Sequence, residues 1–307
     1  MAKYIGHSKA SQAAMKKQAA TPQNVGAKIA QTDFFAYICM FLTLFNDTIY
    51  RECNLEPRKH SPYQLIEYMK YTEFERIISQ KRLRRYVQAC GGNTRKAMTL
   101  YRYNSELAQS VFAIVGLFEV ALRNAIDREL TKSFGDQWLK DSCLPNGIFD
   151  IPNTHKTCTI ISNAYSRLSR DGLYSHTKLL AEMEFGIWKY MFSPVQYRQT
   201  GRTLLHIFPN RPRSSAQAQY NSSYVFNELD KINTLRNRIA HHEPICFHTQ
   251  GCDIYTDYIL NEYRKIITLL EWMGIDSMGL LYGLDHVTKV CNKIDRLRPH
   301  IKQNPPA

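Results

Sequence analysis

Paired cysteines, long apolar runs and alternating strand-like segments are all scarce in this 307-residue chain. The eight cysteines are scattered and form no C-x-x-C pair, which argues against a disulfide framework, and we expect reduced thiols in a cytoplasmic protein. No apolar run reaches the roughly 18 residues that span a bilayer. The nearest run, residues 34–45, has only twelve, so we expect no membrane partner.

What the chain has in excess is positive charge. Forty Lys and Arg against 27 Asp and Glu give a formal net charge of +13. A surplus of this size does not bear on the fold, but it favours a polyanionic partner such as RNA, DNA or acidic lipid. Hydrophobic residues make up 44% of the chain, which is typical of a globular protein rather than a disordered one.

Glycine and proline cluster in a few joints, and between them the apolar residues recur at spacings of three and four, the helical period. This pattern predicts helices over residues 73–88, 94–134 (where a break near Asn104 and Ser105 would be unsurprising), 154–170, 177–192, 222–242, 253–272 and 280–297. Alternating β-branched runs are almost absent. The sequence therefore predicts an all-α helical bundle with no significant sheet.

Residues 1–68 do not share this pattern. They begin with a polar Ala-, Gln- and Lys-rich stretch, followed by the short apolar run and then by little periodicity. We therefore expect an N-terminal extension over residues 1–68, either mobile or the result of a start site assigned too early. One helical domain is expected over residues 69–307.

The densest group of reactive side chains is LRNRIAHHEPICFH, residues 235–248. At about 100° per residue, Asn237 and His241 lie on one face of a helix, and Arg238 and His242 form a second such pair. Arg236 lies about 140° from His241, yet its long side chain can reach across a partner surface. RNA cleavage without metal needs a base, an acid and a cation, which His and Arg supply. The same residues could instead be a basic, solvated helix end.

A zinc site is a second interpretation of this segment. Zinc accepts His and Cys ligands, and the segment offers five of them within twelve positions: His241, His242, Cys246, His248 and Cys252. The spacing contains neither a C-x-x-C nor an H-x-x-x-H knuckle, which makes this alternative the weaker one.

A basic stretch with interleaved tyrosines over residues 76–102 is a candidate nucleic-acid surface. Arginines that contact phosphates and aromatic rings that stack on bases occur together in such surfaces. The predicted RNA-binding residues are Arg82, Arg84, Arg85, Arg95, Lys96, Tyr101 and Arg102. The alternative is a solvated helix face whose tyrosines enter the core.

Three polar residues, Glu119, Arg123 and Asn124, interrupt an apolar helix at FEVALRNAI. Charges in such a place must be paired or face a site. Glu119 and Arg123 are four apart and could satisfy each other, or this face could support the histidine helix from behind.

Three blocks of the sequence together resemble a known family. LYRYNSELAQSVFAIVGLFEVALRNAI (residues 100–126), KLLAEMEFGIWKYMF (178–192) and LRNRIAHHEPI (235–245) resemble, in this order, the landmarks of the Abi-like abortive-infection family. That family belongs to the HEPN superfamily. The resemblance covers about residues 69–297 and implies a HEPN-like helical bundle with additional helices. Many HEPN proteins are metal-independent endoribonucleases with an R-N-x-x-x-H motif, which maps onto Arg236, Asn237 and His241.

The resemblance also implies a homodimer in which two such motifs share one cleft, and a role in phage defence by growth arrest. Some relatives are toxins restrained by an antitoxin, which is an RNA or a protein. On this basis we predict that His241 carries the proton, Arg236 stabilises the phosphate and Asn237 orients the reacting group, with no cofactor. The predicted accessory residues are His242, Arg238, Glu119, Arg123 and Asn124. Because some HEPN proteins only bind RNA, the alternative is a catalytically inactive RNA-binding or regulatory protein.

Overall fold

The computed structural model describes residues 69–248 and 250–298. These residues form twelve α-helices and two short 3-10 helices, Pro152–Thr154 and Leu204–Ile207. The α-helices are α1 (Tyr71–Ile78), α2 (Gln80–Ala89), α3 (Thr94–Phe134), α4 (Trp138–Asp141), α5 (His155–Arg170), α6 (His176–Glu182), α7 (Phe185–Tyr190), α8 (Pro194–Gln199), α9 (Ser222–Ala240), α10 (Asp257–Trp272), α11 (Ser277–Leu280) and α12 (Val287–Asp295). Within the described residues no β-strand is present, and a lone antiparallel bridge joins Phe247 to Ile254. The all-α prediction is confirmed.

Helix α3 is the centre of the bundle. It has 41 residues and is therefore about 60 Å long. The Asn93 side chain caps its first turn by accepting the Lys96 N–H, and it ends at Gly135, whose φ of 84° is readily adopted only by glycine. Helices α2, α7, α9, α10 and α12 all pack against it. Helix α2, which carries the basic run, and helix α9, which leads to the two histidines, are thus both positioned by α3.

By length and composition, α3 is also apolar enough to cross a membrane. Its buried side chains belong to the same hydrophobic core as those of the surrounding helices. A central core helix passes the same test as a membrane span, so the composition of α3 is weak evidence for membrane insertion.

The long helix predicted up to Gly135 is present, without the break that the sequence allowed near Asn104 and Ser105. The helix continues through both residues because each polar side chain has a partner. Ser105 Oγ donates to the Tyr101 carbonyl at 3.1 Å, and the buried Asn104 Oδ1 accepts the backbone N–H groups of Ile245 and Cys246 at 2.9 and 3.1 Å. The asparagine that suggested a break is an anchor for a segment distant in sequence.

Two of the predicted helices are each divided in two, and a third is shorter than predicted. The first is interrupted at Ser79, which has φ 84° and whose hydroxyl accepts the Arg82 N–H at the start of α2. The helix predicted over 177–192 is divided into α6 and α7 by the extended backbone of Met183 and Glu184. The last, predicted over residues 280–297, begins only at Val287 as α12; Leu280 ends α11, and the turn between the two helices contains Gly283, which has φ 75°. The predicted extension over residues 1–68 lies outside the described residues.

Candidate functional site

The C-terminus of α9 carries the two adjacent histidines. Ile239 is buried in the core and the helix ends at Ala240, with His241 as its C-cap. The His242 N–H donates to the Ile239 carbonyl at 2.9 Å and the Glu243 N–H donates to the Arg238 carbonyl at 2.9 Å. This pair of hydrogen bonds is the Schellman arrangement that closes many helices. It fixes the backbone beneath both histidines, whose side chains are exposed.

The backbone of His242 is left-handed, with φ 54°. This position of a Schellman motif is usually glycine, because the left-handed conformation costs other L-residues about 1–2 kcal/mol. The His242 carbonyl accepts a hydrogen bond from Arg82 Nη1 at 3.0 Å. A strained histidine at a helix end, next to a basic helix, is the kind of local cost that accumulates at functional sites.

Helix α2 lies against the segment that follows α9. Arg85 Nε donates to the Gly251 carbonyl at 2.7 Å, and Arg85 Nη2 donates to the His248 carbonyl. The Arg85 guanidinium also lies 4.6 Å from the centroid of the Phe247 ring, in a cation–π contact. Two predicted RNA-binding residues, Arg82 and Arg85, are therefore engaged with the backbone that carries the histidines.

Between α2 and this segment is a pocket of about 600 Å³. It brings the predicted proton carrier His241 and the accessory His242 together with cations of α2 that include Lys81 and Arg84. The acidic member of the lining, Glu243, forms an ion pair with Arg238 at 3.3 Å. The pocket is therefore strongly positive beside two histidines, and it is suited to an anion.

Arg236 lies elsewhere on α9. Neither Arg236 nor Asn237 is among the described residues that line the pocket. Arg236 is half-buried, and its Nη1 makes a long hydrogen bond of 3.4 Å to the exposed Asn237 Oδ1. Its Nε is buried and has no hydrogen-bond partner in the described part of the chain. The two ends of the predicted motif thus face different surroundings in one copy of the chain, as their angle of about 140° on a helix requires.

Arg236 of α9 belongs to a group of charges with Glu119 and Arg123 of α3 and Glu184 at the start of α7. Burial raises the pKa of Glu119, and the guanidinium groups of Arg236 and Arg123 partly oppose this shift, whereas the nearby Glu184 adds to it. The Arg123 Nε is also buried and has no hydrogen bond within the described residues. Asn124 is exposed on the next position of α3. The structure therefore places Glu119 close to Arg123 on its own helix and to Arg236 on the histidine helix α9, so both alternatives for this polar group stay open.

Arg238 has a structural contact that its sequence position did not reveal. Its Nη2 donates to the Pro244 carbonyl at 2.9 Å, in addition to its ion pair with Glu243. Its guanidinium lies 5.7 Å from the centroid of the Tyr258 ring. Arg238 thus holds the turn that follows α9.

Four further predicted RNA-binding residues lie on the first three turns of α3. Arg95 and Lys96 are exposed in the first turn. The half-buried Tyr101 makes edge-to-face contacts with Phe74 and Tyr86, at centroid distances of 5.5 and 5.2 Å. Arg102 lies 5.2 Å from the Phe74 ring centroid. Tyr101 is thus packed among aromatic side chains, whereas the cations lie on the surface.

Two polar groups at this site, Cys252 and Asn104, have contacts that differ from the roles the sequence suggested for them. Cys252 lines the pocket and donates from Sγ to Gln88 Oε1 at 3.0 Å. Asn104 holds Ile245 and Cys246 from beneath, as described above. A lone asparagine among apolar neighbours is a signal that a buried amide needs partners, but it cannot indicate which ones.

The zinc interpretation is not supported. Cys246 is fully buried, and burial raises the pKa of its thiol, which disfavours the thiolate that zinc binds. His241, His242 and His248 are exposed instead. In residues 69–248 and 250–298, no group of three or more His, Cys, Asp or Glu side chains lies close enough to hold a metal ion.

Comparison with known proteins gives one finding. The sequence model of a family described as Abi-like protein matches residues 58–246, which is more than half of the 307 residues. The match contains all of α1 to α9 and ends within the segment that follows the two histidines. Neither a curated protein nor a solved structure matches the chain.

Proposed function

The chain belongs to the Abi-like protein family, and from this premise we propose that it is a HEPN-type endoribonuclease acting in phage defence by abortive infection. The observation that carries the proposal is the position of His241 on the wall of a pocket whose other wall is the basic helix α2. Metal-independent RNA cleavage requires at least a proton carrier beside cations that can bind a phosphodiester.

In the proposed reaction a base removes the proton of the ribose 2′-hydroxyl, and the 2′-oxygen attacks the adjacent phosphorus. The bond from phosphorus to the 5′-oxygen breaks, and an acid protonates that leaving oxygen. The products are a 2′,3′-cyclic phosphate and a 5′-hydroxyl. His241 carries a proton in this scheme, because imidazole serves as either acid or base near neutral pH. His242 is the accessory proton carrier in the same pocket.

Arg236 supplies the cation that stabilises the phosphorane charge, and Asn237 orients the reacting group. Arg236 and His241 have different surroundings in one chain, which favours a cleft formed by two copies of the protein. In such a homodimer the exposed Asn237 and His241 of both copies face the same RNA. Glu119 and Arg123 then set the direction of the Arg236 guanidinium from behind.

The RNA strand approaches across the surface that contains Arg84, Arg95, Lys96 and Arg102, which are all exposed. In this proposal the protein acts in the cytoplasm, and an RNA or protein antitoxin inhibits it as in a toxin–antitoxin pair. A charged surface beside the histidines is the region that such an inhibitor would cover.

The second candidate is a catalytically inactive protein of the same fold that binds RNA or regulates a partner. The observation that favours it is the separation of Arg236 from the His241 pocket within one chain. If no second copy completes the cleft, the surface can still bind RNA but lacks the cation that cleavage needs.

Cleavage of an end-labelled RNA in EDTA tests these proposals. The purified wild type is compared with Arg236→Ala and His241→Ala, and with two matched controls, Arg170→Ala and His155→Ala, which change exposed residues that do not line the pocket. The nuclease proposal expects cyclic-phosphate ends from the wild type and both controls, and at least about a 100-fold loss in the two motif variants.

If all five proteins bind RNA equally and none cleaves it, the inactive RNA-binding protein is the correct interpretation. Cleavage that survives in both motif variants would refute the roles of Arg236 and His241.

A further inference from the structure

Helix α2 carries four cations and no acid over its ten residues, QKRLRRYVQA. Residues three apart on a helix lie about 60° from each other. Arg82 and Arg85 therefore share one face, and Lys81 and Arg84 share another. The two pairs meet different partners in the structure.

Among the described residues, the side chains of Arg82 and Arg85 donate hydrogen bonds only to backbone carbonyls. Arg82 Nη1 donates to His242, and Arg85 donates from Nε to Gly251 and from Nη2 to His248. All three carbonyls belong to the segment that begins at the end of α9. The Arg85 guanidinium is also covered by an aromatic ring 4.6 Å away. A phosphate cannot take these donors without releasing that segment.

The geometry of these contacts depends on the guanidinium fork. Arg85 uses two of its nitrogens on two different carbonyls, which a lysine ammonium cannot reproduce with fixed orientation. Arg82 binds the carbonyl of the strained residue at the end of α9, where the negative end of the helix dipole attracts a cation.

Lys81 and Arg84 make no such hydrogen bonds to backbone carbonyls within the described residues. Both are exposed and line the pocket, and neither makes a hydrogen bond or an ion pair within residues 69–248 and 250–298. They lie in the first half of α2, whose first turn contains no acid to balance the positive end of the helix dipole. Two neighbouring unpaired cations repel each other, and a bound anion removes this cost.

We propose that the four cations of α2 have two separate roles. Arg82 and Arg85 are positioning residues that hold the histidine-bearing segment, residues 241–251, on α2. Lys81 and Arg84 form a phosphate-binding pair that contacts the backbone of a single-stranded RNA next to His241. The ligand of this pair rests on the proposed function, whereas the division of the four cations rests on their contacts.

Salt dependence of RNA binding tests the phosphate-binding pair. A fluorescent single-stranded RNA is titrated into the full-length chain at about 50–200 mM salt, with His241→Ala present in every protein to prevent cleavage. Each phosphate contact on a single strand contributes about 0.7 to the slope of log K against log salt. Lys81→Gln/Arg84→Gln is therefore expected to lower the slope by about 1.4, and the matched Arg82→Gln/Arg85→Gln pair to leave it unchanged.

Cleavage kinetics test the positioning role in proteins that retain His241. Arg82→Lys/Arg85→Lys keeps both charges but loses the forks, so kcat is expected to fall about 10- to 100-fold with little change in KM. The matched charge-conserving control, Arg170→Lys/Arg213→Lys, changes two exposed arginines that do not line the pocket and should retain kcat. Hydrogen exchange provides a readout that does not need cleavage: amides of residues 241–251 should exchange faster in Arg82→Lys/Arg85→Lys than in the wild type. The single variants Arg82→Lys and Arg85→Lys serve if the double variant does not fold.

The outcomes are distinguishable. An equal loss of slope in the two glutamine pairs, or unchanged exchange in the lysine pair, would overturn the division of roles. Expected slopes and exchange in a protein that cleaves no RNA would leave the division intact and refute the nuclease proposal. A wild type that binds no RNA would overturn both the phosphate-binding pair and the proposed function.

Discussion

Replacing His242 by glycine should make the protein more stable while weakening its proposed activity. His242 has φ 54° and occupies the position of a Schellman motif where glycine is usual. The exposed imidazole makes no hydrogen bond within the described residues, and the contact with Arg82 uses the backbone carbonyl, which glycine retains. The substitution therefore removes strain without removing a structural contact.

The expected gain follows from two opposing costs. Left-handed backbone costs a residue with a Cβ about 1–2 kcal/mol. Glycine loses more conformational freedom on folding than other residues, which costs about 0.5–1 kcal/mol and offsets part of the strain that is removed. The net stabilisation is therefore about 1 kcal/mol, which corresponds to about 2–4 °C in Tm for a domain of this size.

Thermal unfolding followed by circular dichroism measures this change. His242→Ala is the matched control, because alanine also deletes the imidazole but keeps the left-handed strain. Only the glycine variant should gain stability. An equal rise of Tm in both variants, or a fall in the glycine variant, would refute the argument from backbone strain. If His242 is an accessory proton carrier, both variants should lose cleavage, so that glycine separates stability from activity.

Three further outcomes follow from the contacts described above. Asn104→Ala leaves two buried backbone N–H groups without their acceptor and should lower the free energy of unfolding in urea by about 2–4 kcal/mol, whereas a loss below about 1 kcal/mol would show that water or backbone replaces it. The pKa of Glu119 is raised in the folded protein, so its contribution to stability is fully present below the ordinary glutamate pKa and is lost as pH rises through the folded pKa. Glu119→Gln should remove this pH dependence of stability. Urea midpoints that run parallel in both proteins from about pH 4 to 8 would contradict it. Mixing the inactive Arg236→Ala and His241→Ala proteins should restore part of the RNA cleavage if the cleft is shared between two chains, and no restoration would place a complete site in each chain.

Much of the architecture could be predicted from local sequence. Apolar spacing of three and four predicted the helical class, because a side chain's face on a helix depends only on its neighbours in sequence. The predicted ends of α3 are also correct, since Asn93 and Gly135 act through their own turns. Where two helices replaced the one predicted over residues 73–88, the cause was Ser79, whose positive φ no periodicity indicates.

Only part of the candidate site could be predicted from local sequence. The sequence indicated the basic run of α2 and the histidines of α9 as separate features about 160 positions apart. That they line one pocket follows from the packing of α2 on α3 and from the course of residues 241–248 and 250–251, and both depend on long-range contacts. The roles of Arg82 and Arg85 were equally hidden, because their partners are backbone carbonyls, which carry no sequence signal.

By itself, therefore, the sequence determined the all-α class, the positive charge, the family and the chemically capable residues Arg236, Asn237 and His241. Each of these depends on residue identity and short spacing. The tertiary structure alone decided that Arg236 faces the charges around Glu119 while His241 faces α2. It also decided that Asn104 anchors the histidine segment instead of ending a helix. The reason is that a polar side chain's role depends on which distant groups share its dielectric surroundings and its hydrogen bonds, and packing fixes that choice.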